Sequence, residues 1–185
     1  MGGVAATPKL LFVCYANLCR SPMAERLAQA LGAGRVEAAS AGTHARPGLP
    51  MHAFAEATLY ELGADPTGFV SRPVTSTLVA EADLVLTADR RQRSVCVELV
   101  PAAVRRTFTI RQFGRLAAAV LDAGLEVSPD SLLRTVAAVR ADLPPVPGEE
   151  DDLADPVLGT KEDFLACARQ IMQALEPTLA LIAPP

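Results

Sequence analysis

The stretch Lys9-Leu10-Leu11-Phe12-Val13-Cys14-Tyr15-Ala16-Asn17-Leu18-Cys19-Arg20-Ser21-Pro22 sets the fold. Lys9 to Val13 is a short apolar run, the pattern of a buried strand. Asn17 to Ser21 is polar and loop-like. Pro22 opens a helical pattern from Met23 to Leu31, closed by Gly32 and Gly34. Proline suits a first helical position and Ser21 suits the N-cap. The order is therefore strand, loop, helix.

The same alternation continues outward. Arg35 to Ala39 is a second strand candidate, followed by a Ser40-Ala41-Gly42-Thr43 loop. Met51 to Leu62 reads as a helix stopped by Gly63. Asp83 to Thr87 is a third strand and Thr107 to Ile110 a weaker fourth. Helical patterns cover Arg91 to Val100, Phe113 to Ala123, Ser131 to Leu143 and Lys161 to Ile182. Short strands alternating with helices predict an α/β fold, a parallel sheet with helices on both faces. Leu143 to Asp152, Pro-rich and then acidic, is a loop. No repeat or domain boundary interrupts the chain. One domain over 1–185 is expected, with Arg115 to Leu143 a helical insertion and Met1 to Pro8 flexible.

Half of the 185 residues are hydrophobic, enough for one domain with a sizeable core. The net charge of −4 disfavours nucleic acid as a partner and gives weak repulsion from an anionic membrane. A phosphate site here must make its positive potential locally. Four cysteines without a Cys-x-x-Cys pair, and two histidines, argue against zinc. Met1 to Pro8 lacks the charge and apolar run of a signal peptide. No uncharged stretch reaches the ~18 residues of a membrane span. A cytoplasmic protein with reduced thiols is expected.

Cys14 and Arg20 stand six positions apart between a strand and a helix N-terminus. A phosphate ester is dianionic and requires several donors. Backbone N–H groups from Tyr15 to Arg20 can form a nest around it, and the following helix adds its positive end. The Arg20 guanidinium matches two phosphate oxygens. The same field favours a thiolate at Cys14. Such a thiolate can attack phosphorus, forming a phosphocysteine that water then hydrolyses. Asn17 and Ser21 can hold the turns of the loop, and the Ser21 hydroxyl can stabilise the sulfur anion. The plainer alternative is a buried structural cysteine beside a helix cap.

With these residues the chain resembles the low-molecular-weight protein tyrosine phosphatase family. The loop matches at Cys14, Asn17, Cys19, Arg20, Ser21 and Pro22. Ser40-Ala41-Gly42-Thr43, Ala82 to Leu86, and Ala154-Asp155-Pro156 before Asp163-Phe164 match in the same order. The resemblance implies a four-stranded parallel, flavodoxin-like sheet and hydrolysis of phosphomonoesters without metal or cofactor. It implies Cys14 as nucleophile, Arg20 as phosphate binder and Asp155 as general acid, protonating the leaving oxygen. Without it, Asp155 reads as a solvated acid after the Glu149 to Asp152 run. Asp65-Pro66, a second Asp-Pro, reads as an ordinary turn.

The chain departs from the family at four places. Ala16 stands where glycine is usual, which would reshape the nest. Phe69 stands where histidine often joins the loop's hydrogen bonds, so that network is expected to end at Ser40, Ser21 and Asn17 or use water. Val157 and Leu158 replace aromatics after Asp-Pro, leaving Tyr15 as an aromatic wall or a plain surface ring. The Arg115 to Leu143 helices would cover the site mouth or form an interface. These changes widen the substrate class from protein phosphotyrosine to small-molecule phosphates.

Cys19 resembles the family's second loop cysteine, which can protect the nucleophile through a reversible disulfide; otherwise it packs the loop floor. Cys96 and Cys167 read as core residues. A related arsenate reductase coupled to thioredoxin would require a pair of further cysteines after the third strand, where only Cys96 stands; one coupled to mycothiol or glutathione would not. A non-catalytic phosphate-binding module is the remaining alternative. His44 and His52 read as solvated residues, and Arg90-Arg91-Gln92-Arg93 as an exposed helix face that could dock an acidic partner.

Overall fold

The computed structural model describes residues 7–184. In chain order the elements are β1 (Lys9–Cys14), α1 (Arg20–Gly32), β2 (Glu37–Gly42), α2 (Ala53–Glu61), α3 (Ser76–Glu81), β3 (Leu84–Thr87), α4 (Arg90–Leu99), β4 (Thr107–Thr109), α5 (Ile110–Asp122), α6 (Leu132–Asp142) and α7 (Lys161–Ile182). The four strands are parallel in the order β2-β1-β3-β4. This is the flavodoxin-like arrangement. The expected looseness of Met1 to Pro8 falls largely outside the described residues. No helix among them is long and apolar enough to cross a membrane.

β1 is covered on both faces, which is why it reads as one apolar run rather than an alternating one. Leu10 and Phe12 enter a core formed with α1, α2, α5 and α7. Leu11 and Val13 point the other way, onto Val79 of α3 and Cys96 of α4.

Several boundaries differ from expectation. β2 starts two residues later, at Glu37, and runs to Gly42, so Ser40, Ala41 and Gly42 close a strand instead of forming a loop. Pairing in register with β1, Lys9 opposite Glu37 through Cys14 opposite Gly42, gives their backbone groups partners. α1 starts at Arg20, and its N-cap is Cys19 rather than Ser21, without a side-chain cap. Ser21 lies inside the first turn with its hydroxyl committed elsewhere. The short helix α3 was not expected; Thr75 caps it, accepting from Leu78 N. α5 starts at Ile110, so the insertion boundary at Arg115 falls in mid-helix. Its Gly114 lies so near α7 that an added Cβ would sit 2.6 Å from Ala174 Cα. α6 adds Val136, fully buried, to the same core. α7 has the predicted limits, with a Thr160–Asp163 capping box at its start.

Candidate active site

The strand order reverses at β1: the chain moves to β2 on one side, then returns to β3 on the other. Such a reversal opens a crevice beyond the C-terminal ends of the two inner strands. Cys14 ends β1 there, and Asp89 follows β3 by two residues.

Cys14 is buried, and its Sγ accepts from the Ser21 hydroxyl at 3.0 Å. Asn17 Nδ2 donates to Ser21 Oγ and to Ser40 Oγ, both at 2.9 Å. Asn17 Oδ1 accepts from Arg72 N at 2.9 Å. Among the described residues, no backbone N–H from Tyr15 to Arg20 donates to a backbone carbonyl. A run of uncommitted amides at a helix start favours an anion.

Two expectations for this loop are corrected. Among the described non-glycine residues only Asn17 (φ +56°) and Ala33 have positive φ. The left-handed position is therefore Asn17, a residue type that tolerates it, and Ala16 has no need of glycine's freedom. Close backbone approach is supplied by Gly42 instead. A Cβ there would lie 2.7 Å from Asn17 N and from Tyr15 O. Nor does the network end at Ser40. Its hydroxyl donates to Glu25 Oε2 at 2.6 Å, and its carbonyl accepts from Arg72 Nε. Phe69 lies against the core edge, with the Arg26 guanidinium 5.9 Å from its ring centre.

Arg20 is 4% exposed. Nη1 donates to Asp89 Oδ2 at 3.3 Å and to the Leu153 carbonyl at 3.0 Å, and Nη2 donates to Asp155 Oδ2 at 2.6 Å. Two carboxylates thus balance a cation that burial would otherwise disfavour. The Asp155 side chain is 40% exposed, and its other oxygen accepts from Val157 N. Tyr15, half exposed, stacks on His44 at 4.3 Å. Val157 and Leu158 are exposed, Leu158 almost wholly.

All four cysteines are free thiols. Burial, then the Asp155 carboxylate, pushes the Cys19 thiol up to about 12. Burial does the same for Cys167, which packs beneath this site, within reach of the Arg20 and Asp155 charges. Cys96 lies in the other cluster, with Leu11 and Val13, and burial pushes it up to about 12 as well.

The structure therefore brings together Cys14, Tyr15, Ala16, Asn17, Leu18, Cys19, Arg20, Ser21, Ser40 and Asp155. Asp89, Gly42, Glu25 and the Leu153 carbonyl also belong to the site and are not among the residues expected from sequence. Asp89 had a signal, because it directly follows a strand end, where such sheets hold ligands. The Leu153 carbonyl had none, since backbone groups carry no residue code. His52 is a capping residue, accepting from Phe54 N, and it stacks on Phe164. The Arg90–Arg93 run is not one exposed face: Arg90 pairs with Asp152, and Arg93 Nε donates to the Thr107 carbonyl.

A doubly wound sheet carrying a Cys-to-Arg loop of free amides at its reversal point defines the cysteine-dependent phosphatase class. A family model described as low molecular weight phosphotyrosine protein phosphatase matches residues 9–143, and the chain belongs to that family. The protein-arginine-phosphatase of Geobacillus stearothermophilus is 34% identical over 105 residues, 57% of this chain and 70% of that protein. The glutaredoxin arsenate reductase of Synechocystis sp. is 37% identical over 78 residues, 42% of this chain. The match covers 57% of that reductase, just over half its length. The crystal structure of Erwinia amylovora tyrosine phosphatase AmsI superposes with a TM-score of 0.72, covering 99% of this chain and 98% of the other at 19% identity, a likeness of fold.

Proposed function

We propose that the protein hydrolyses phosphomonoesters through a phosphocysteine, with Cys14 as nucleophile, Arg20 as phosphate binder and Asp155 as general acid. The observation that carries this reading is the Ser21 hydroxyl donating to Cys14 Sγ beside a loop of uncommitted amides. A sulfur that accepts a hydrogen bond at an anion-binding loop is placed for in-line attack on bound phosphorus. Arg20 and the loop amides hold the equatorial oxygens. As the S–P bond forms, the ester P–O bond breaks and Asp155 gives its proton to the leaving oxygen. Asp155 then takes a proton from water, whose oxygen attacks phosphorus, and Cys14 leaves with inorganic phosphate released. The positive charge comes from the chain itself, so the scheme uses no metal or cofactor.

The substrate is a protein phosphotyrosine or a small-molecule phosphate, and the setting is the cytoplasm, away from nucleic acid and membrane. The whole chain, 1–185, acts as one phosphatase domain, with the 115–143 stretch an addition to it. The exposed Tyr15–His44 pair supplies an aromatic wall at the mouth, and Cys19 a thiol that can protect an oxidised Cys14. Arsenate reduction is the less supported alternative, because Cys96 is fully buried in the opposite cluster.

Cys14→Ser should abolish hydrolysis of an aryl phosphate, assayed in EDTA, yet retain binding of inorganic phosphate. Turnover like that of the wild type would end the nucleophile assignment.

A further inference from the structure

The acidic run before Asp155 is solvated only in its first half: Glu149 and Glu150 are exposed, whereas Asp151 and Asp152 turn inward. Asp151 is buried, and Arg115 Nη2 donates to both of its carboxylate oxygens at 3.1 Å. The Asp151 carbonyl accepts from Thr109 Oγ1 at 2.7 Å. Asp152 is gripped by Arg90, whose Nε and Nη2 donate to Oδ2 at 3.1 and 3.0 Å while its backbone N donates to Oδ1 at 3.0 Å. Leu153 N donates to the Ala88 carbonyl at 2.8 Å, and the Leu153 carbonyl accepts from Arg20. Three successive residues are thus tied to α5, to α4 and to the end of β3. Two residues further on stands Asp155, on Arg20.

We propose that Arg115 and Arg90 are positioning residues, which act through Asp151 and Asp152 to fix the strap that sets Asp155 over the reacting phosphate. The proposal rests on Asp155 being the general acid. Four acidic residues in a row, Glu149 to Asp152, would by themselves repel one another and remain in water. Arg115 balances the buried Asp151; without it that charge is uncompensated and the strap must loosen. Asp155 is two peptide units beyond the last backbone anchor, Leu153, so a strap that loosens at Asp151 and Asp152 shifts the backbone that carries the acid. Proton transfer tolerates little of it, since the acid must lie within hydrogen-bond reach of the leaving oxygen.

The test compares two esters on the full-length protein. The leaving group of dinitrophenyl phosphate departs unprotonated, whereas that of phenyl phosphate requires the proton. Asp155→Asn should lose about 100-fold in kcat/KM on phenyl phosphate, the scale of general acid catalysis, and little on the dinitro ester. This ratio reports only the steps up to P–O cleavage, not the phosphocysteine hydrolysis common to both esters. Arg115→Gln should lose roughly tenfold on phenyl phosphate alone, as a modest misplacement of a catalytic group does. Arg115→Lys should recover most of that loss, and in an Asp155→Asn background Arg115→Gln should cost nothing more. Equal losses on both esters, or full multiplication in the double variant, would show a merely structural ion pair and overturn the proposal. Equal losses in Asp155→Asn itself would instead remove the acid assignment, and the strap's role with it. If Arg115→Gln fails to fold by circular dichroism, Arg90→Gln, whose pair is half exposed, decides the matter by the same comparison.

Discussion

Asn17 occupies a backbone region most side chains avoid, and its amide bridges Ser21, Ser40 and Arg72. Asn17→Gly keeps the backbone freedom and deletes the three bonds, each worth about 1 kcal/mol. Asn17→Ala deletes the same bonds and adds roughly 1–2 kcal/mol of left-handed strain. In urea denaturation the alanine variant should therefore be the less stable of the two, and equal midpoints would show that the turn stores no strain. Arg20 poses a different question, because Asp155 occupies its Nη2 at 2.6 Å. A phosphate oxygen must share or displace that carboxylate, which is partly exposed and so holds Arg20 by at most about 1 kcal/mol. Asp155→Asn should accordingly bind vanadate up to about fivefold more tightly in competitive inhibition. Weaker binding would mean that the carboxylate does not oppose the ligand.

At the scale of elements, the close crossing of α5 and α7 rests on Gly114 lying against Ala174. In an isolated helix Gly→Ala is favourable by about 1 kcal/mol. Here the new methyl would meet backbone at 2.6 Å, and overpacking of that kind costs roughly 1–3 kcal/mol. Gly114→Ala should therefore lower Tm, and a rise would show that the two helices can separate freely. The elements that sequence revealed well are those with a strong period or a strong stop. The limits expected for α7 from its helical pattern match the structure, where a Thr160–Asp163 capping box fixes the start. β1 was visible as an apolar run because both its faces are covered. The C-terminal half of β2 was missed because Ser40, Ala41 and Gly42 are small for a reason outside the strand. Gly42 makes room for the loop after β1, and Ser40 and Ala41 accept hydrogen bonds from Asn17 and Ser21, tertiary demands that hide the strand pattern. The site divides in the same way. Cys14, Arg20 and Asp155 have distinctive chemistry and ordered motifs, whereas Asp89 was hidden by its second task as the cap of α4.

For the molecule as a whole, the buried thiols set an alkaline limit on stability. Burial raises Cys19, Cys96 and Cys167 from an ordinary 9.0 to about 12. Between these values the unfolded chain releases protons that the folded chain keeps. Their contribution to stability is therefore whole below pH 9 and falls as pH rises from 9 towards 12, by about 1.4 kcal/mol per pH unit for each thiol. At pH 10 the three together account for a loss of roughly 4 kcal/mol, a large part of a typical domain's stability. Cys96 is the cleanest probe, because it lies in the cluster away from the candidate site. Cys96→Ala should start lower at pH 8, through the small cavity it leaves, yet lose stability less steeply above pH 9. The difference between the two proteins should narrow by about 1 kcal/mol between pH 9 and pH 10 in chemical denaturation. Because lysines and tyrosines titrate alike in both, only Cys96 can change that difference. Parallel pH profiles would mean that this thiol ionises as readily inside the sheet's second core as it does in water.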